Sequence, residues 1–538
     1  MRLSLNLGRR LSPLVFALSL LAGVAATAGA GTWGPDFDIS GGDVNDTFTS
    51  SNGQRFACVN DTNDLYIAFF DNRNKVGNDN NFEIYFRRFI YNFGSPGITR
   101  VTTAPSESRS PAIATLNWGA GDAATANDSG RIYLTWSDAR DYPIPPLGQN
   151  PRSFSIYFRT FQSQGGVGFG PEIMVSPFDT LNTATTPSIA CGDSNRVWIV
   201  YPKGATGATT SLYYALYNSA TRTMGPETIL VNNTLQATQP TITATRNGVV
   251  HVVWTDNRSG RNALWTKRFV PGTGWTADEQ LVFSSNVSSL GNLTASYSGR
   301  VQLVWRDNRD GNNEIYYKEY VPGVGWDPVD TRLTTQASIQ SEPQVDTDPL
   351  NNIYVVWSDQ RNGGSNQDIF YRQRIGGVWD PEMSLVGAAT DTTNQVQQFP
   401  GITHDGFGNS YVTWTDWRLP ASLGRNKDVY YKVGNAVVTA VEVSPAPAGA
   451  ALRAYPNPFN PMTNISFRVE KDARVSLRIY DVHGRLVRTL IDELMAAGPK
   501  RLTWDGRDDL GRSMASGAYY LRLQGGGTQV SRTINLLK

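Results

Sequence analysis

An aspartate followed two positions later by an arginine occupies the same place in six repeats of this 538-residue sequence. A carboxylate beside a guanidinium invites a catalytic interpretation. Catalysis, however, needs one constellation of unlike groups, whereas these pairs recur once per repeat. The repetition favours turn formation, with the aspartate accepting backbone N–H bonds and the arginine pairing with a nearby carboxylate or carbonyl. The pairs are Asp71/Arg73, Asp138/Arg140, Asp256/Arg258, Asp307/Arg309, Asp359/Arg361 and Asp416/Arg418.

Calcium binding is the alternative at these turns, because residues 307–312 (Asp-Asn-Arg-Asp-Gly-Asn) are rich in oxygen donors. Calcium loops place oxygen ligands at alternate positions. The third position here is arginine in every intact copy, and a guanidinium is a poor neighbour for a cation. We therefore predict no metal site at this turn.

Few other residues have the spacing that enzymes need. His251, His404 and His483 are scattered, and there is no metal-ligand cluster, nucleophile elbow or phosphate loop. A glycoside hydrolase would need a matched pair of carboxylates. Three acids lie near predicted strand starts, namely Glu107, Glu342 and Asp405. Nothing in the sequence indicates that any two of them lie close together. We predict no catalytic residue and no cofactor, and leave open whether the protein is an enzyme.

The Asp-x-Arg pairs lie inside seven repeated units, each divisible into four strand-like pieces. In the best copies an apolar run ending in Trp precedes the aspartate, and a second run such as Ile315-Tyr316-Tyr317-Lys318 follows it. Alternation of β-branched and aromatic residues is typical of strands. The fourth piece carries a Gly-Pro-Glu type signature, as at Gly170-Pro171-Glu172, which indicates an edge strand. Four strands per unit at this spacing predict an all-β, seven-bladed β-propeller.

The seventh unit lacks its fourth strand, and the missing signature stands near the N-terminus at Trp33-Gly34-Pro35-Asp36. We predict that this N-terminal strand completes the sheet containing Tyr430 and closes the ring, since closure protects sheet edges.

Loop lengths indicate where a ligand would bind. From the aspartate to the next strand the gap is 8 to 10 residues in units four to six, but 13, 18 and 13 in units one, two and seven. These three units are neighbours in a closed ring, so their loops would form one lobe, and function tends to lie on elaborated loops. Plain surface variation is the alternative. The candidate ligand-binding residues are Asn78, Asp79, Asn80, Tyr142, Arg152, Trp417, Arg425 and Lys427.

The N-terminal residues of the sequence indicate export. Residues 1–30 have the charged, apolar and small-residue regions of a secretory signal peptide, and no later run is long enough to span a bilayer. A net charge of +1 gives no reason to expect nucleic acid as a partner. Cys58 and Cys191 could form a disulfide, but their place in non-adjacent repeats favours two buried thiols. We expect a secreted or cell-surface monomer.

The predicted domains are the signal peptide at 1–30, the propeller at 31–435, a linker at 436–453 and a second domain at 454–538. The last domain carries Tyr455-Pro456-Asn457-Pro458-Phe459, Trp504-Asp505-Gly506 and Gly517-Ala518-Tyr519-Tyr520. In these motifs it resembles the immunoglobulin-like domain shared by flagellar hook-capping protein and type IX secretion sorting domains. The resemblance implies recognition by an outer-membrane secretion machinery; a purely structural β-sandwich is the alternative.

The repeats resemble the propellers of bacterial sialidase-like secreted proteins, through residues such as Trp357-Ser358-Asp359 and Ile369-Phe370-Tyr371. They depart from true sialidases, which have six blades, intact Asp-boxes and an arginine triad. Three functions stay open. The first is a binding protein for a glycan or protein ligand, the second a sialidase-like glycoside hydrolase, and the third a surface scaffold without catalysis.

Overall fold

The structure is a computed structural model, and every regular element among its described residues is a β-strand. Predictions that fall on residues 1–32, including the signal peptide, lie outside the described part. The described residues are 33, 36–40, 47–49, 55–60, 64–74, 81–89, 97–104, 106–115, 131–141, 153–163, 168–192, 195–205, 209–232, 235–284, 286–296, 298–348, 351–363, 366–385, 396–405, 408–418, 427–434, 452–455, 459, 462–469, 471–481, 485–496, 498–525 and 528–536.

Seven antiparallel sheets lie within the described residues between 37 and 434. Sheet 1 contains β2 (Thr47–Phe48), β3 (Ala57–Val59), β4 (Leu65–Asp71), β5 (Glu83–Phe89) and β6 (Ile98–Arg100). Sheet 2 contains β7 (Ser108–Thr115), β8 (Arg131–Asp138), β9 (Ser155–Gln162), β10 (Gly168–Phe169) and β11 (Ile173–Met174). Sheet 3 contains β12 (Thr183–Ala184), β13 (Ser188–Cys191), β14 (Arg196–Gly204), β15 (Thr210–Asn218), β16 (Thr223–Met224) and β17 (Thr228–Val231).

The next three sheets share one plan. Sheet 4 contains β18 (Ala237–Ala244), β19 (Val250–Asp256), β20 (Ala263–Val270), β21 (Gly274–Trp275) and β22 (Glu279–Gln280). Sheet 5 contains β23 (Ser288–Ala295), β24 (Val301–Asp307), β25 (Glu314–Val321), β26 (Gly325–Trp326) and β27 (Thr331–Arg332). Sheet 6 contains β28 (Gln340–Thr347), β29 (Ile353–Asp359), β30 (Asp368–Ile375), β31 (Val378–Trp379) and β32 (Met383–Ser384).

Sheet 7 joins the two ends of this region. It contains β33 (Gln397–His404), β34 (Ser410–Asp416), β35 (Asp428–Gly434) and, as its outer strand, β1 (Phe37–Asp38). Phe37 pairs with Tyr431 and Asp38 with Tyr430, and Trp33 forms a bridge to Gly434. The predicted pairing of the N-terminal segment with the strand of Tyr430 is therefore observed.

The outer strand differs from the single fourth strand that the sequence predicts. In sheets 2 to 6 it is two short pieces, which both pair with the third strand. In sheet 2 the interruption falls at Gly170 and Pro171, between β10 and β11. Proline has no N–H to donate to a ladder, so pairing stops there. The position at the sheet edge agrees with the prediction; the continuity of the strand does not.

The inner strands carry a repeated bulge. Six residues at equivalent places have φ between +43° and +57°, and they are Ser110, Thr186, Gln239, Leu290, Glu342 and Phe399. Each is followed by proline, or by glycine at Gly291. The pairing register shifts at this point in β7, β18, β23, β28 and β33. One extra residue is thus inserted at the same place in successive sheets.

The inner strands contact one another in a continuous order. Contacts run from β3 through β7, β13, β18, β23 and β28 to β33, and β33 contacts β3. The middle strands are buried on both faces, with Trp136, Trp254, Trp305, Trp357 and Trp414 fully enclosed. Apolar clusters lie between neighbouring sheets, as between sheets 1 and 2, which explains the unbroken apolar runs of the middle strands. The arrangement is propeller-like.

The C-terminal residues form two further sheets. One contains β36 (Arg453–Tyr455), β37 (Thr463–Val469) and β40 (Gly498–Trp504). The other contains β38 (Ala473–Tyr480), β39 (Leu486–Met495), β41 (Gly517–Gly525) and β42 (Thr528–Leu536). Alternate residues of these strands, including Leu477 and Trp504, share one buried cluster with Phe459, as in a β-sandwich.

Candidate ligand-binding surface

The repeated aspartates lie buried at the ends of the middle strands. In sheet 4, Asp256 Oδ1 accepts the backbone N–H of Arg258 at 2.8 Å, and its Oδ2 accepts Trp254 Nε1 at 3.0 Å. The Arg258 guanidinium also donates to Asp256, at 2.6 Å from Nη2. These are the contacts that a turn-forming pair would make. Burial opposes ionisation of Asp307 and Asp359, but hydrogen bonds, including those from Arg309 and Arg361, outweigh it and lower both pKa values.

In five of the six Asp-x-Arg copies the arginine also reaches an acid that directly precedes an outer-strand piece. Arg258 Nη1 lies 2.8 Å from Asp278, which Lys267 of the third strand contacts at 2.8 Å. Sheet 3 lacks the Asp-x-Arg pair, yet Lys203 lies 3.0 Å from Glu227, the outer-strand acid. Polar contacts therefore link the second, third and outer strands. The equivalent acids contacted by Arg140, Arg309, Arg361 and Arg418 are Glu172, Asp330, Glu382 and Asp36.

Arg73 of sheet 1 makes the predicted turn contacts and has an additional partner that the other five arginines do not share. Its backbone N–H and its Nη2 donate to Asp71, at 2.5 Å and 2.6 Å, as in the other turns. The same Nη2 also donates to the backbone carbonyl of Ser40 at 2.8 Å. Ser40 follows β1, the outer strand of sheet 7, so Arg73 links two sheets in addition to forming its own turn. Ser40 lies in the sequence between β1 of sheet 7 and β2 of sheet 1.

Glu342 links sheet 6 to sheet 7. Its Oε2 accepts Ser358 Oγ and the backbone N–H of Phe399, both at 2.8 Å. Burial raises the pKa of Glu342, and these bonds and the charge of Arg306 only partly offset it. Gln239 has the same role between sheets 4 and 5, since its Oε1 accepts Thr255 Oγ1 at 3.0 Å and Leu290 N–H at 3.3 Å.

The other two acids considered for hydrolysis lie apart from Glu342. Asp405 directly follows β33, in the turn that leads to β34. There it accepts hydrogen bonds from the backbone N–H of Asn409 at 2.9 Å and from Tyr411 OH at 3.0 Å. Phe399, which contacts Glu342, is six residues earlier in the same strand, so about 20 Å separates the two ends. Glu107 forms an ion pair with Arg109 of sheet 2, which is not a neighbour of sheet 6. The structure does not bring these three carboxylates together as a hydrolytic pair.

A cavity of about 100 Å³ is lined by residues from the inner strands of all seven sheets. Arg55, beside β3, reaches across it to Asp346 of sheet 6 at 3.0 Å and to Thr294 of sheet 5 at 2.9 Å. Burial alone would raise the pKa of Asp346. The charge of Arg55 and bonds from His404 and Thr294 outweigh this effect and lower that pKa to about 2. The ion pair joins sheets that are not neighbours.

His404 also lines this cavity. Its Nδ1 lies 3.2 Å from Asp346 Oδ2, and its Nε2 lies 2.9 Å from Ser410 Oγ. Ser410 is buried and is not part of the cavity wall, so the geometry does not expose a nucleophile. Cys58 and Cys191 line the same cavity as buried thiols without a disulfide, as predicted.

Two residues of the predicted ligand-binding lobe lie in the described part of the chain, and the structure brings them together. Lys427 Nζ lies 4.5 Å from the ring centre of Trp417 and 4.1 Å from that of Phe48. The backbone N–H of Thr47 donates to the carbonyl of Lys427 at 3.1 Å, which brings sheets 1 and 7 together here. The remaining lobe residues, Asn78, Asp79, Asn80, Tyr142, Arg152 and Arg425, fall outside the described residues.

The aromatic group continues across sheet 1 toward sheet 2. Phe48 stacks on Phe70 at 5.2 Å, and Phe82 contacts both rings, at 5.8 Å and 5.5 Å. The Arg109 guanidinium lies 5.4 Å from the Phe82 ring centre. We define the Phe48 surface as Phe48, Phe70, Phe82, Arg109, Trp417 and Lys427. Phe82 is its buried member, whereas Phe48, Phe70 and Trp417 are partly exposed.

All members of the Phe48 surface lie at the strand ends that carry the repeated aspartates. Phe70 precedes Asp71, and Trp417 follows Asp416. Arg109 lies opposite Ser137, the residue before Asp138, in the β7–β8 ladder. Sequence reasoning missed the three phenylalanines and Arg109. Phe70 could have been found by comparing the repeats, because it stands directly before the repeated aspartate. The other repeats have Ser, Thr, Arg or Pro at this position.

Arg109 gives this surface an exposed cation. Its side chain is 45% exposed, whereas that of its partner Glu107 is 5% exposed. Lys427 is partly buried between its two rings. Aromatic faces flanked by cations suit a ligand with apolar ring faces and polar or anionic substituents.

Fold and surface together define an all-β protein with a propeller-like repeat region and a C-terminal β-sandwich. Residues 457–528 match the family of FlgD Ig-like domains. No curated protein matches the chain. In the described part of the chain, no helical segment combines the length and the apolar composition that a membrane crossing requires.

Solved structures are similar to this chain at low identity. Polysaccharide lyase Uly1 is similar over 75% of this chain and 99% of its own, with 12% identity and a TM-score of 0.46. The intramolecular trans-sialidase from Ruminococcus gnavus covers 63% of this chain and 96% of its own, with 11% identity and a TM-score of 0.38. PorZ, a surface component of the type IX secretion system of Porphyromonas gingivalis, covers 90% and 70%, with 12% identity and a TM-score of 0.29. Similarity at this level does not indicate a ligand or an activity for this chain.

Proposed function

We propose that residues 31–435 form a closed seven-bladed propeller whose last blade is completed by the N-terminal strand. Three observations support this. The inner strands contact one another in an unbroken circle, one cavity is lined from all seven sheets, and β1 pairs with β35. Closure removes the free edges that an open array would expose.

The proposed function is binding of a glycan on the Phe48 surface, by an exported or surface-located protein. The observation that carries this proposal is the placement of Lys427 between Trp417 and Phe48. Aromatic faces with a few polar groups are what a sugar ring requires, because one of its faces is largely C–H and its edge carries hydroxyls. The lobe residues outside the described part belong to the same proposed site.

Glycan binding can be tested with an array of bacterial, plant and animal glycans, followed by calorimetry on each hit. We expect Trp417→Ala to weaken binding at least tenfold, because truncating an aromatic residue that dominates a binding site costs about 2 kcal/mol or more. Phe283→Ala removes an exposed aromatic side chain from the connection between β22 and β23, so it is the matched control and should bind normally. Binding that is unchanged in Trp417→Ala would refute the site.

A sialidase-like glycoside hydrolase is the second candidate. Of the three acids considered, Glu107 is the one at the Phe48 surface, through its ion pair with Arg109. Release of sugar from a substrate panel, abolished by Glu107→Gln, would favour hydrolysis over binding alone. A scaffold without a small ligand is the third candidate, and the side chain of Arg55 across the central cavity is compatible with it.

For the C-terminal domain we propose recognition by an outer-membrane secretion machinery. The match of residues 457–528 to the FlgD Ig-like family supports an immunoglobulin-like domain at this position. Under this proposal residues 1–30 are a signal peptide, 436–453 a linker and 454–538 the sorting domain of an extracellular monomer. An inert reporter that carries residues 1–30 at its N-terminus and residues 436–538 at its C-terminus should be exported only in a host that has the machinery.

A further inference from the structure

Two cations flank the aromatic rings of the Phe48 surface from opposite sides. Lys427 comes from sheet 7 and lies over Phe48 and Trp417, whereas Arg109 comes from sheet 2 and lies over Phe82. Ring faces attract such cations, so their positions are set before a ligand arrives. Preorganised charges avoid part of the ordering cost of binding.

At the Arg109 end of the Phe48 surface, the charged group exposed to solvent is a cation. Glu107 pairs with Arg109, but the carboxylate is the buried partner and the guanidinium is the exposed one. At the other end, the ammonium group of Lys427 lies over the faces of two rings. An approaching anion would therefore meet a cation at each end of the aromatic group, and hydrogen bonds to charged groups are stronger than those to neutral ones.

We infer that the Phe48 surface selects anionic saccharides, which present carboxylate or sulfate groups to Lys427 and Arg109 while a sugar ring lies against Phe48 and Phe70. This inference rests on the proposed glycan-binding function and names its ligand class. Electrostatic complementarity supplies the selectivity, because an anionic group is attracted to both cations and a neutral sugar is not.

The test uses calorimetry on the full chain with three probes of similar length. They are tetragalacturonic acid, its fully methyl-esterified neutral form and a sulfated galactan tetrasaccharide. We expect the anionic probes to bind more tightly than the ester. Lys427→Met and Arg109→Met should each weaken the anionic probes about tenfold or more, since hydrogen bonds to charged groups contribute on the order of 1.5–3 kcal/mol. Methionine keeps an apolar side chain on the rings.

Arg246→Met, which removes an exposed cation from the turn between β18 and β19, is the matched control and should bind like wild type. Thermal melting followed by circular dichroism checks that every variant folds. Binding of the sulfated probe alone still supports the inference and assigns the anion as sulfate. Equal binding of acid and ester, unaffected by Lys427→Met, overturns the inference but leaves glycan binding intact. Failure of all three probes to bind overturns the inference, while the glycan array decides the proposed function separately.

Discussion

Asp36 accepts a hydrogen bond from Arg418 Nη2 at 3.0 Å, although 382 residues separate them in the sequence. Lys432 contacts the other oxygen of Asp36 at 2.9 Å. Asp278 has the same two kinds of partner in sheet 4, namely Arg258 and Lys267. The N-terminal segment thus supplies to sheet 7 the acid that the outer strand supplies elsewhere.

Asp36→Asn should destabilise the repeat region by about 1–3 kcal/mol, because two partly buried cations lose a charged acceptor. Chemical denaturation monitored by tryptophan fluorescence measures the change. Asp278→Asn is the matched variant and should have a similar cost. A loss for Asp278→Asn with none for Asp36→Asn would show that the N-terminal segment does not stabilise sheet 7.

Asp346 should make stability depend on pH in the acid range. Its pKa is about 2 in the folded protein, below the ordinary value near 4, so its contribution is fully present above pH 4 and is lost as pH falls toward 2. The shift corresponds to about 2–3 kcal/mol. Asp346→Asn should therefore be less stable than wild type at pH 6, and the difference should shrink between pH 4 and 2. A difference that does not change with pH would contradict this account of the Arg55–Asp346 pair.

Glu342→Gln should leave the fold intact and be at least as stable as wild type at pH 7. Gln239 already makes the equivalent contacts with an amide oxygen. Because burial raises the pKa of Glu342, its ionised form is unfavourable in the folded protein, and the amide removes that penalty. Glu342→Ala should instead cost about 1–3 kcal/mol by leaving the Phe399 N–H without its acceptor. Thermal melting distinguishes the two. If Glu342→Gln destabilised the protein as much as Glu342→Ala, the charge itself would be required.

Cys58 should resist alkylation in the folded protein. Burial raises its pKa to about 12, so the thiolate is scarce at pH 8, and the side chain is shielded as well. Mass spectrometry after iodoacetamide treatment should find Cys58 and Cys191 unmodified in native buffer and both modified in urea. Failure to react in urea would indicate a disulfide instead.

The repeat pattern predicted much of this fold because the same short-range interactions form the strands and turns of each sheet. Strand runs ending in Trp and turns starting at Asp256 or Asp307 depend only on nearby residues. The N-terminal strand was also predictable, since Gly34-Pro35-Asp36 repeats the outer-strand signature. The break in the outer strand was not predicted, because it depends on which N–H groups face a partner. The second partner of Arg73 was not predicted either, because Ser40 lies 33 residues away in another sheet.

The site was predicted less well, since it depends on distances between sheets. Trp417 and Lys427 were found from loop lengths, but Phe48 lies in a leading segment without a repeat motif. Arg55 was missed because its contact with Asp346 depends on the width of the central cavity. Glu342 was recognised in the sequence as an acid near a strand start. Its structural equivalence to Gln239 was not recognised, because both residues occupy a bulge that only the structure shows.

Hydrogen–deuterium exchange with and without a bound glycan tests the central claim most directly, because it locates the ligand on the chain. Tetragalacturonic acid, or the best ligand from the array, should slow exchange in peptides covering 47–49, 106–110, 414–418 and 427–431. Peptides of sheets 4 and 5 should exchange as in the free protein. Protection confined to sheets 4 and 5, or to the C-terminal domain, would contradict a binding site on the Phe48 surface.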